Sequence, residues 1–209
     1  MGLIDNPPPR RRRSRSTFLD LYRLVDRACD KAFSLLASPG FAAYGHRSVI
    51  QRPVRISGER RIAIGDDVFI GSDSWLQVLE SDGDGIAIVV GSGTSIAGSC
   101  VLSAIDSIRL GRKVLMARNV YIADHMHAFE DVGRAVLEQG IARVGPVEIG
   151  DGAWLGQNVV VGPGVRVGRG AVVGANSVVV QNVEDFTVAV GAPARQVRAL
   201  PRDEPTSGR

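Results

Sequence analysis

Residues 149–180 read IGDGAW LGQNVV VGPGVR VGRGAV VGANSV VV, and this stretch decides the fold. An aliphatic residue opens each block of six, Gly follows it, and the fifth residue is small or β-branched. An α-helix repeats near 3.6 residues and a β-strand near 2, so neither period explains the pattern. A six-residue period is typical of a parallel β-helix, in which three blocks build one triangular coil.

The same period extends upstream over most of the chain. The aliphatic first position recurs at Ile64, Ile70, Leu76, Val90, Ile96, Leu102, Leu110, Met116 and Ile122. The fifth position is again small or β-branched, as Val68, Ser74, Thr94, Cys100, Val114 and Val120. We expect both positions to face the interior, and the glycines to permit tight corners because they lack Cβ. The sequence therefore predicts an all-β solenoid whose coils are stable only as a stack.

Composition agrees with one such domain in a reducing compartment. The chain has 209 residues, of which 5% are aromatic, and its two cysteines provide no disulfide framework. The N-terminus lacks the pattern of a cleaved signal peptide, and no apolar run reaches membrane-spanning length. We therefore expect a cytoplasmic protein.

The positive charge is concentrated near the N-terminus. Residues 1–16 contain three consecutive prolines followed by Arg10, Arg11, Arg12, Arg13 and Arg15. These five charges exceed the net charge of +3, so the rest of the chain is net negative. We expect a disordered arm. Nucleic-acid binding is not favoured, because no basic stripe or aromatic platform follows; attraction to anionic lipid is the better interpretation.

A single amphipathic helix is predicted after this arm, within residues 17–38, ending at Ser38-Pro39-Gly40. Its apolar face comprises Phe18, Leu21, Tyr22, Val25, Ala28, Cys29, Ala32, Phe33 and Leu36. We expect the helix to cap the open hydrophobic end of the β-helix. The alternative is a peripheral membrane helix assisted by the Arg arm. The predicted β-helix then occupies residues 39–190, and a C-terminal segment and tail occupy 191–209.

The repeat is interrupted once, by a loop excursion over residues 126–147. It follows the strand that leads into Asp124-His125-Met126-His127, and the repeat restarts at Ile149. Long excursions from a regular scaffold are often functional. A His-x-His pair suggests zinc, as in the β-helical carbonic anhydrases, but a zinc site needs a third ligand, and His46 lies outside the recognisable coils. General base catalysis by one histidine without a metal is the favoured interpretation.

Residues 120–197 resemble the hexapeptide-repeat acetyltransferases, in particular the sugar and polysaccharide O-acetyltransferases of the maltose, galactoside and nodulation type. The matching text is YIADHMH at 121–127, GPVEIGDGAWLGQN at 145–158 and GAPARQV at 191–197. The resemblance implies a left-handed parallel β-helix and a homotrimer with active sites between neighbouring subunits. It also implies direct transfer from acetyl-CoA to a hydroxyl without a metal.

The same resemblance assigns the catalytic residues. His125 matches the family's catalytic histidine, which takes the proton from a sugar hydroxyl. The backbone N–H of Gln157 matches the donor that stabilises the oxyanion. Asp124 and Asp131 are both candidates to orient His125, with a backbone carbonyl as a further alternative. Strand alternation directs Asp124 away from the histidine face, so we expect Asp131 to orient His125.

The donor site is predicted farther along the chain. Trp154 matches the tryptophan that walls the family's donor site. Gly174 and Ala175 keep the surface low, which allows the pantetheine arm of acetyl-CoA to lie against the coil backbone. Arg195 occupies the place of a basic residue in the family, and Arg198 is a further candidate to bind the phosphates.

For the acceptor, His127 and Trp75 are candidate contacts, with Trp75 able to stack on a sugar ring. Where galactoside enzymes carry an asparagine, this chain has Ser99 or Ser103, which argues against a simple galactoside or maltose acceptor. We expect O-acetylation of a carbohydrate or lipid-linked saccharide in cell-envelope or exopolysaccharide biosynthesis, at the inner face of the membrane. The alternatives are N-acylation of an amino-sugar nucleotide and a non-catalytic trimeric scaffold.

Overall fold

The structure is a computed structural model that describes residues 17–80 and 83–201. The Arg-rich arm of residues 1–16 and the end of the C-terminal tail lie outside the described residues, so the disorder predicted for the arm stays a prediction. The chain begins with helix α1 (Thr17–Ala37), which is followed by a 3₁₀ turn at Ser38–Gly40. Within the described ranges, no helix combines the length and the apolar character needed to cross a membrane.

Short strands then follow one another around a triangular path. The first three coils contain β1 (Ala43–Tyr44), β2 (Val49–Ile50), β3 (Arg55–Ser57), β4 (Ile62–Ile64), β5 (Phe69–Ile70), β6 (Trp75–Val78), β7 (Ile88–Val90), β8 (Ser95–Ile96) and β9 (Val101–Ala104), with a 3₁₀ turn at Glu59–Arg61. The fourth coil contains β10 (Ile108–Leu110), β11 (Leu115–Met116) and β12 (Tyr121–Ala123).

The excursion after β12 has its own small elements. It contains β13 (Met126–His127), α2 (Val136–Gln139) and β14 (Ile141–Ala142). The last two coils contain β15 (Val147–Ile149), β16 (Trp154–Leu155), β17 (Val160–Val161), β18 (Arg166–Val167), β19 (Val172–Val173) and β20 (Val178–Val179). A hairpin of β21 (Thr187–Gly191) and β22 (Ala194–Ala199) follows.

Three sheets form the sides of a parallel β-helix. The first sheet is ordered β1-β4-β7-β10-β15-β18, the second β2-β5-β8-β11-β16-β19-β21-β22, and the third β20-β17-β12-β9-β6-β3. Each coil adds one strand to every sheet, and these strands pair in parallel. Antiparallel pairing occurs at β13–β14 and at β21–β22.

The interior is built from the two hexad positions that the sequence predicts to be buried. The first-position aliphatic residues, from Ile64 to Val179, are each at most 2% exposed, and so are the fifth-position residues from Val68 to Ser177. Polar fifth positions are hydrogen-bonded: Thr94 Oγ1 donates to the Gly111 carbonyl at 2.9 Å and accepts from Val114 N–H at 3.1 Å. This confirms the inward-facing pattern.

The glycines at the second position serve coil stacking. A Cβ on Gly91 would lie 2.4 Å from the carbonyl carbon and oxygen of Gly111 in the next coil. The left-handed backbone of the corner falls instead on later residues, among them Asn158 and Asn176, with φ of 60° and 59°. Asparagine tolerates this conformation better than most residues.

Helix α1 contacts the first coil through its polar side. Ser34 and Asp30 are buried; Ser34 Oγ accepts from Ile50 N–H at 2.9 Å, and Asp30 Oδ1 accepts from Arg52 N–H at 3.2 Å. Phe33 packs against the edge of the core. The helix therefore lies over the end of the β-helix, as the sequence predicts.

Most of the apolar face of α1 is left in solvent. Phe18, Leu21, Tyr22, Val25 and Leu36 are between 53% and 82% exposed. The reason for this orientation is local: the first coil presents the Ile50 N–H and the Arg52 backbone and guanidinium, and these polar groups pair with Ser34 and Asp30. The helix thus covers the coil and buries part of Phe33, but it leaves most of the face that its periodicity defines in solvent.

Candidate active site

The predicted catalytic histidine lies where the chain leaves the third sheet. Strand β12 ends at Ala123, and Asp124 and His125 occupy the corner that leads from the third sheet toward the first. The His125 side chain is 9% exposed, and its Nδ1 lies 2.9 Å from Asp124 Oδ1. The imidazole therefore has a carboxylate partner adjacent in the chain.

Asp124 is held by the preceding coil. It is completely buried, and its carboxylate accepts hydrogen bonds from the backbone N–H groups of Ile105, Asp106 and Ser107, the last two at 2.8 and 2.7 Å from Oδ2. Such donors bind a carboxylate most strongly in its ionised form. An ionised Asp124 requires the proton of neutral His125 on Nδ1, which leaves Nε2 as an acceptor.

The prediction that Asp131 orients His125 is wrong. The Asp131 carboxylate accepts from Gly133 N–H at 3.0 Å, within the excursion, while Asp124 bonds the imidazole. The alternation argument against Asp124 fails because alternation applies only inside a strand, and β12 ends one residue earlier. Beyond that point the chain bends, which turns both side chains toward each other.

His127 points to a different part of the excursion. It pairs with Ile141 in the β13–β14 hairpin and lines an open cavity of about 550 Å³, together with Met126, Phe129, Glu130 and Arg143. His46 belongs to the corner between β1 and β2, in the first coil. In the part of the chain that the structure describes, no three His, Cys, Asp or Glu side chains are arranged to hold a metal ion.

The predicted donor-site residues are gathered along the second sheet. Trp154 is half exposed on its outer face and aligns through Val172 and Val188 with Arg198. Arg195 lies in the same last strand, β22, opposite Val190. Gly174 and Ala175 follow β19 at the corner of this sheet. The predicted donor-site residues thus form a single band along the second sheet, from Trp154 to Arg195 and Arg198.

Gln157 lies at the corner between the second and third sheets. Within the described residues, its N–H donates no hydrogen bond. At the corner between the first and second sheets, the N–H groups of Arg112 and Arg169 are bound by the carboxylates of Asp151 and Asp185. Beside Gln157 the next coil instead carries Ala175, which has no side-chain acceptor. The Gln157 N–H is therefore available to a ligand oxygen.

A ladder of asparagines at the same corner was not identified from the sequence. Asn119 Nδ2 donates to Asn158 Oδ1 at 3.1 Å, and Asn158 Nδ2 donates to Asn176 Oδ1 at 2.8 Å. The ladder ties three successive coils together next to Gln157 and stiffens the backbone that holds its N–H. The signal in the sequence is the 18-residue spacing of Asn158 and Asn176, which equals one complete coil.

Trp75 lies on the outer face of the third sheet. It aligns through Val101 with Tyr121, in the strand that leads to His125, and is 37% exposed. The Arg55 guanidinium lies 5.8 Å from the centre of its ring, at the edge of a cleft of about 320 Å³. Trp75 therefore lies on the outer face of the third sheet, two strands away from β12, the strand that leads to the histidine.

One chain does not bring the base and the oxyanion donor together. Gln157 precedes β17, and His125 follows β12. Because β12 and β17 pair in parallel, the two residues lie at opposite ends of neighbouring strands. Trp154 is farther still, on the second sheet. The groups that the sequence assigns to one reaction are therefore divided between two regions of the subunit surface.

Comparisons with known proteins bear on this arrangement. Residues 146–181 match the family "Bacterial transferase hexapeptide (six repeats)". The chain is 30% identical over 148 residues to galactoside O-acetyltransferase from Escherichia coli (strain K12), covering 68% of this chain and 70% of that protein. It spans only 44% and 51% of the length of two further curated relatives, which are probable and putative acetyltransferases.

Solved structures have the same fold. The hexapeptide-repeat acetyltransferase VCA0836 from Vibrio cholerae, complexed with acetyl coenzyme A, is 28% identical, with a TM-score of 0.59 over 88% of this chain and 85% of that chain. The N-acyltransferase AntD from Bacillus cereus, in complex with dTDP and 3-hydroxybutyryl-CoA, superposes with a TM-score of 0.69 over 80% and 87%, at 22% identity. The three parallel sheets and these neighbours fit a left-handed β-helix. The chain belongs to the hexapeptide-repeat acetyltransferase family.

Proposed function

We propose that this protein transfers an acetyl group from acetyl-CoA to a carbohydrate hydroxyl, with His125 as the general base. The observation that carries the proposal is the hydrogen bond between His125 Nδ1 and Asp124, because it leaves Nε2 free to accept a proton. The similarity to an O-acetyltransferase and to a structure with bound acetyl-CoA supports the reaction class.

The chemistry follows from this geometry. The acceptor oxygen attacks the thioester carbonyl carbon while its proton moves to His125 Nε2. The tetrahedral intermediate places negative charge on the former carbonyl oxygen, and the Gln157 N–H is the donor we assign to it. The C–S bond then breaks, and the departing thiolate takes the proton from the imidazolium. A positioned base of this kind contributes about 10²–10⁴ to the rate.

Asp124 acts through His125. Its carboxylate keeps the imidazole in the tautomer with the proton on Nδ1 and stabilises the imidazolium that forms during attack. Three backbone N–H donors hold Asp124 in place, so the orientation of the base depends on the coil before it. We therefore describe Asp124 as a positioning residue.

A homotrimer would complete the site. The outward row of the second sheet contains Phe69, Leu115, Trp154 and Val172, and that of the third contains Trp75, Val101, Tyr121 and Val160. The matching row of the first sheet begins with Ala63 and Val89 and continues with the charged residues Arg109, Glu148 and Arg166. Apolar rows on two adjacent faces favour a head-to-tail contact in which the second sheet of one subunit packs against the third sheet of the next. Three such contacts close into a ring. Trp154 and Gln157 of one subunit then approach the His125 face of the next.

The second sheet supplies the donor site in this proposal. The pantetheine arm of acetyl-CoA lies along the band that begins at Trp154, and Gly174 and Ala175 let it approach the backbone closely. Arg195 and Arg198, at the end of the band, bind the phosphates, for which guanidinium groups are well suited. Both arginines are exposed.

The acceptor would lie against the third sheet and the excursion. Trp75 offers a flat apolar surface for a sugar ring, and His127 lines the cavity next to the catalytic corner. In this proposal the acceptor is a carbohydrate or lipid-linked saccharide of cell-envelope or exopolysaccharide biosynthesis, and the reaction takes place in the cytoplasm. N-acylation of an amino sugar would use the same base, and the experiment below distinguishes it.

The test is release of the CoA thiol with a panel of acceptors, followed by mass spectrometry of the products. The panel contains oligosaccharides and amino-sugar nucleotides, and His125→Ala is the paired variant. We expect wild-type protein to form an acetyl ester on a saccharide and the variant to lose about 10²-fold or more of the rate. Formation of an amide on an amino sugar would show that the reaction is N-acylation and not O-acetylation. No acceptor-dependent thiol release from acetyl-CoA would overturn the catalytic proposal.

A further inference from the structure

The exposed apolar face of α1 requires a partner that the described chain does not provide. Phe18, Leu21, Leu24 and Leu36 are 74%, 59%, 64% and 82% exposed, respectively. They lie along most of the length of a helix of 21 residues. Scattered single apolar residues are normal on a protein surface, but a continuous apolar stripe of this kind marks an interaction site.

The orientation of this stripe is set by the contacts of the opposite side. Asp30 and Ser34 attach the helix to the first coil, and at 100° per residue they lie across the helix axis from Leu21 and Val25. The apolar stripe therefore faces away from the body of the protein, at its N-terminal end. A planar surface can approach it without obstruction from the β-helix.

The sequence immediately before the helix indicates what that surface is. Arg10, Arg11, Arg12, Arg13 and Arg15 lie within seven residues of Thr17, the first residue of α1. A helix with an outward apolar face, preceded by clustered arginines, has the two signals that stable attachment to an anionic membrane needs. Parallel pairing with a second copy would bring two arginine runs together, and their repulsion disfavours that occupant.

We propose that α1 lies in the surface of an anionic lipid bilayer, with its apolar stripe inserted among the acyl chains, and that the positive charge of the five arginines preceding it in the sequence adds to the attraction. The coil of His125 lies three inter-strand steps from the first coil, about 14 Å along the axis. A bilayer at this end keeps a membrane-borne acceptor close to the catalytic corner; this consequence, unlike the binding itself, rests on the proposed function.

The experiment is co-sedimentation of the full chain with phosphatidylcholine vesicles, with and without phosphatidylglycerol, at low and high salt. The double variant Leu21→Asp/Val25→Asp places two carboxylates within the apolar stripe. Its control is Leu19→Asp, which places one added carboxylate on the other side of the helix, at a residue that is 45% exposed; the single variant Leu21→Asp carries the same added charge within the stripe. A further variant replaces the five arginines by glutamine and leaves the helix sequence unchanged.

We expect wild-type protein and Leu19→Asp to bind the anionic vesicles. The affinity of the double variant should be lower by a factor of about ten or more. The glutamine variant should also bind weakly, and high salt should weaken wild-type binding. Failure of wild-type protein to bind anionic vesicles would overturn the proposal. It would also be overturned if the double variant changed the oligomeric mass in vesicle-free light scattering, because a second copy would then cover the stripe. Acetyl transfer to a soluble acceptor is measured separately, so its failure would not be mistaken for failure of lipid binding.

Discussion

His125 and Asp124 are consecutive residues whose side chains are joined by a 2.9 Å hydrogen bond between Nδ1 and Oδ1. In a strand, consecutive side chains point to opposite faces and do not meet. They meet here because β12 ends at Ala123 and because the N–H groups of residues 105–107 draw the carboxylate into the corner. In the proposed mechanism, the orientation of the base therefore depends on the point at which the strand ends.

Replacing Asp124 tests this dependence. Asp124→Asn removes the charge that holds the Nδ1 proton and stabilises the imidazolium, so we expect transfer to slow by about 10²-fold or more with little change in acetyl-CoA affinity. The measurement is a double-mutant cycle with His125→Ala. If Asp124 acts through His125, adding Asp124→Asn to His125→Ala costs little further rate. Two losses that multiply would mean that Asp124 has only a structural role or acts independently.

The donor band predicts a specific effect on acetyl-CoA binding. Loss of a guanidinium that binds phosphate should weaken affinity about tenfold, so Arg195→Ala should raise the dissociation constant by that factor in titration calorimetry. Arg109→Ala is the matched control, because this exposed arginine belongs to the outer row of the first sheet. Equal affinities for wild type and Arg195→Ala would remove this residue from the donor site.

Coil stacking predicts a large difference between two glycines. A Cβ on Gly91 would collide with the Gly111 backbone at 2.4 Å, whereas a Cβ on Gly85 would meet nothing within 4 Å. We expect Gly91→Ala to lower the free energy of unfolding by about 3 kcal/mol or more, and Gly85→Ala to change it by less than about 0.5 kcal/mol. Chemical denaturation of both variants measures this, and similar values would contradict the stacking argument.

The corner carboxylates predict how stability changes in acid. The Arg112 backbone N–H, with its guanidinium, lowers the pKa of Asp151, and the Arg169 backbone N–H lowers the pKa of Asp185. A carboxyl whose pKa is lower in the folded state stabilises the fold above its unfolded pKa, and this contribution is lost as the pH falls through the folded pKa. The temperature of the unfolding midpoint should therefore decrease as the pH is lowered through that acidic range, and this decrease should be less steep in Asp151→Asn. Identical pH profiles for wild type and variant would refute the assignment.

The fold was predictable because the six-residue period indicates which residues face inward. Ile64, Thr94 and Val173 occupy positions that a six-residue period alone assigns to the interior, and all are buried. The orientation of α1 was not predictable in the same way. Its apolar periodicity predicts contact through Leu21 and Val25, but the contact depends on what the first coil offers Ser34 and Asp30. A helical pattern does not contain that information.

The candidate site was predictable only residue by residue. The motif around His125 predicts the base, and the motif around Trp154 predicts the donor side. Their separation follows from the sheet to which each belongs, which the linear order of the motifs does not reveal. The choice of Asp131 over Asp124 failed for a related reason, because it depended on the residue at which β12 ends.

The most direct test of the account is activity in mixed oligomers. In the proposed trimer, one subunit supplies the His125 base and its neighbour supplies the Trp154 side of the site. His125→Ala and Trp154→Ala protomers, each with low activity alone, are co-expressed with different tags, and mixed oligomers are isolated. We predict that activity returns in this mixture, because some interfaces then contain both wild-type residues. A control mixture of His125→Ala with Asp124→Asn should stay inactive, since both changes affect the same half of the site. Mixed His125→Ala and Trp154→Ala oligomers that remain inactive would contradict a shared site.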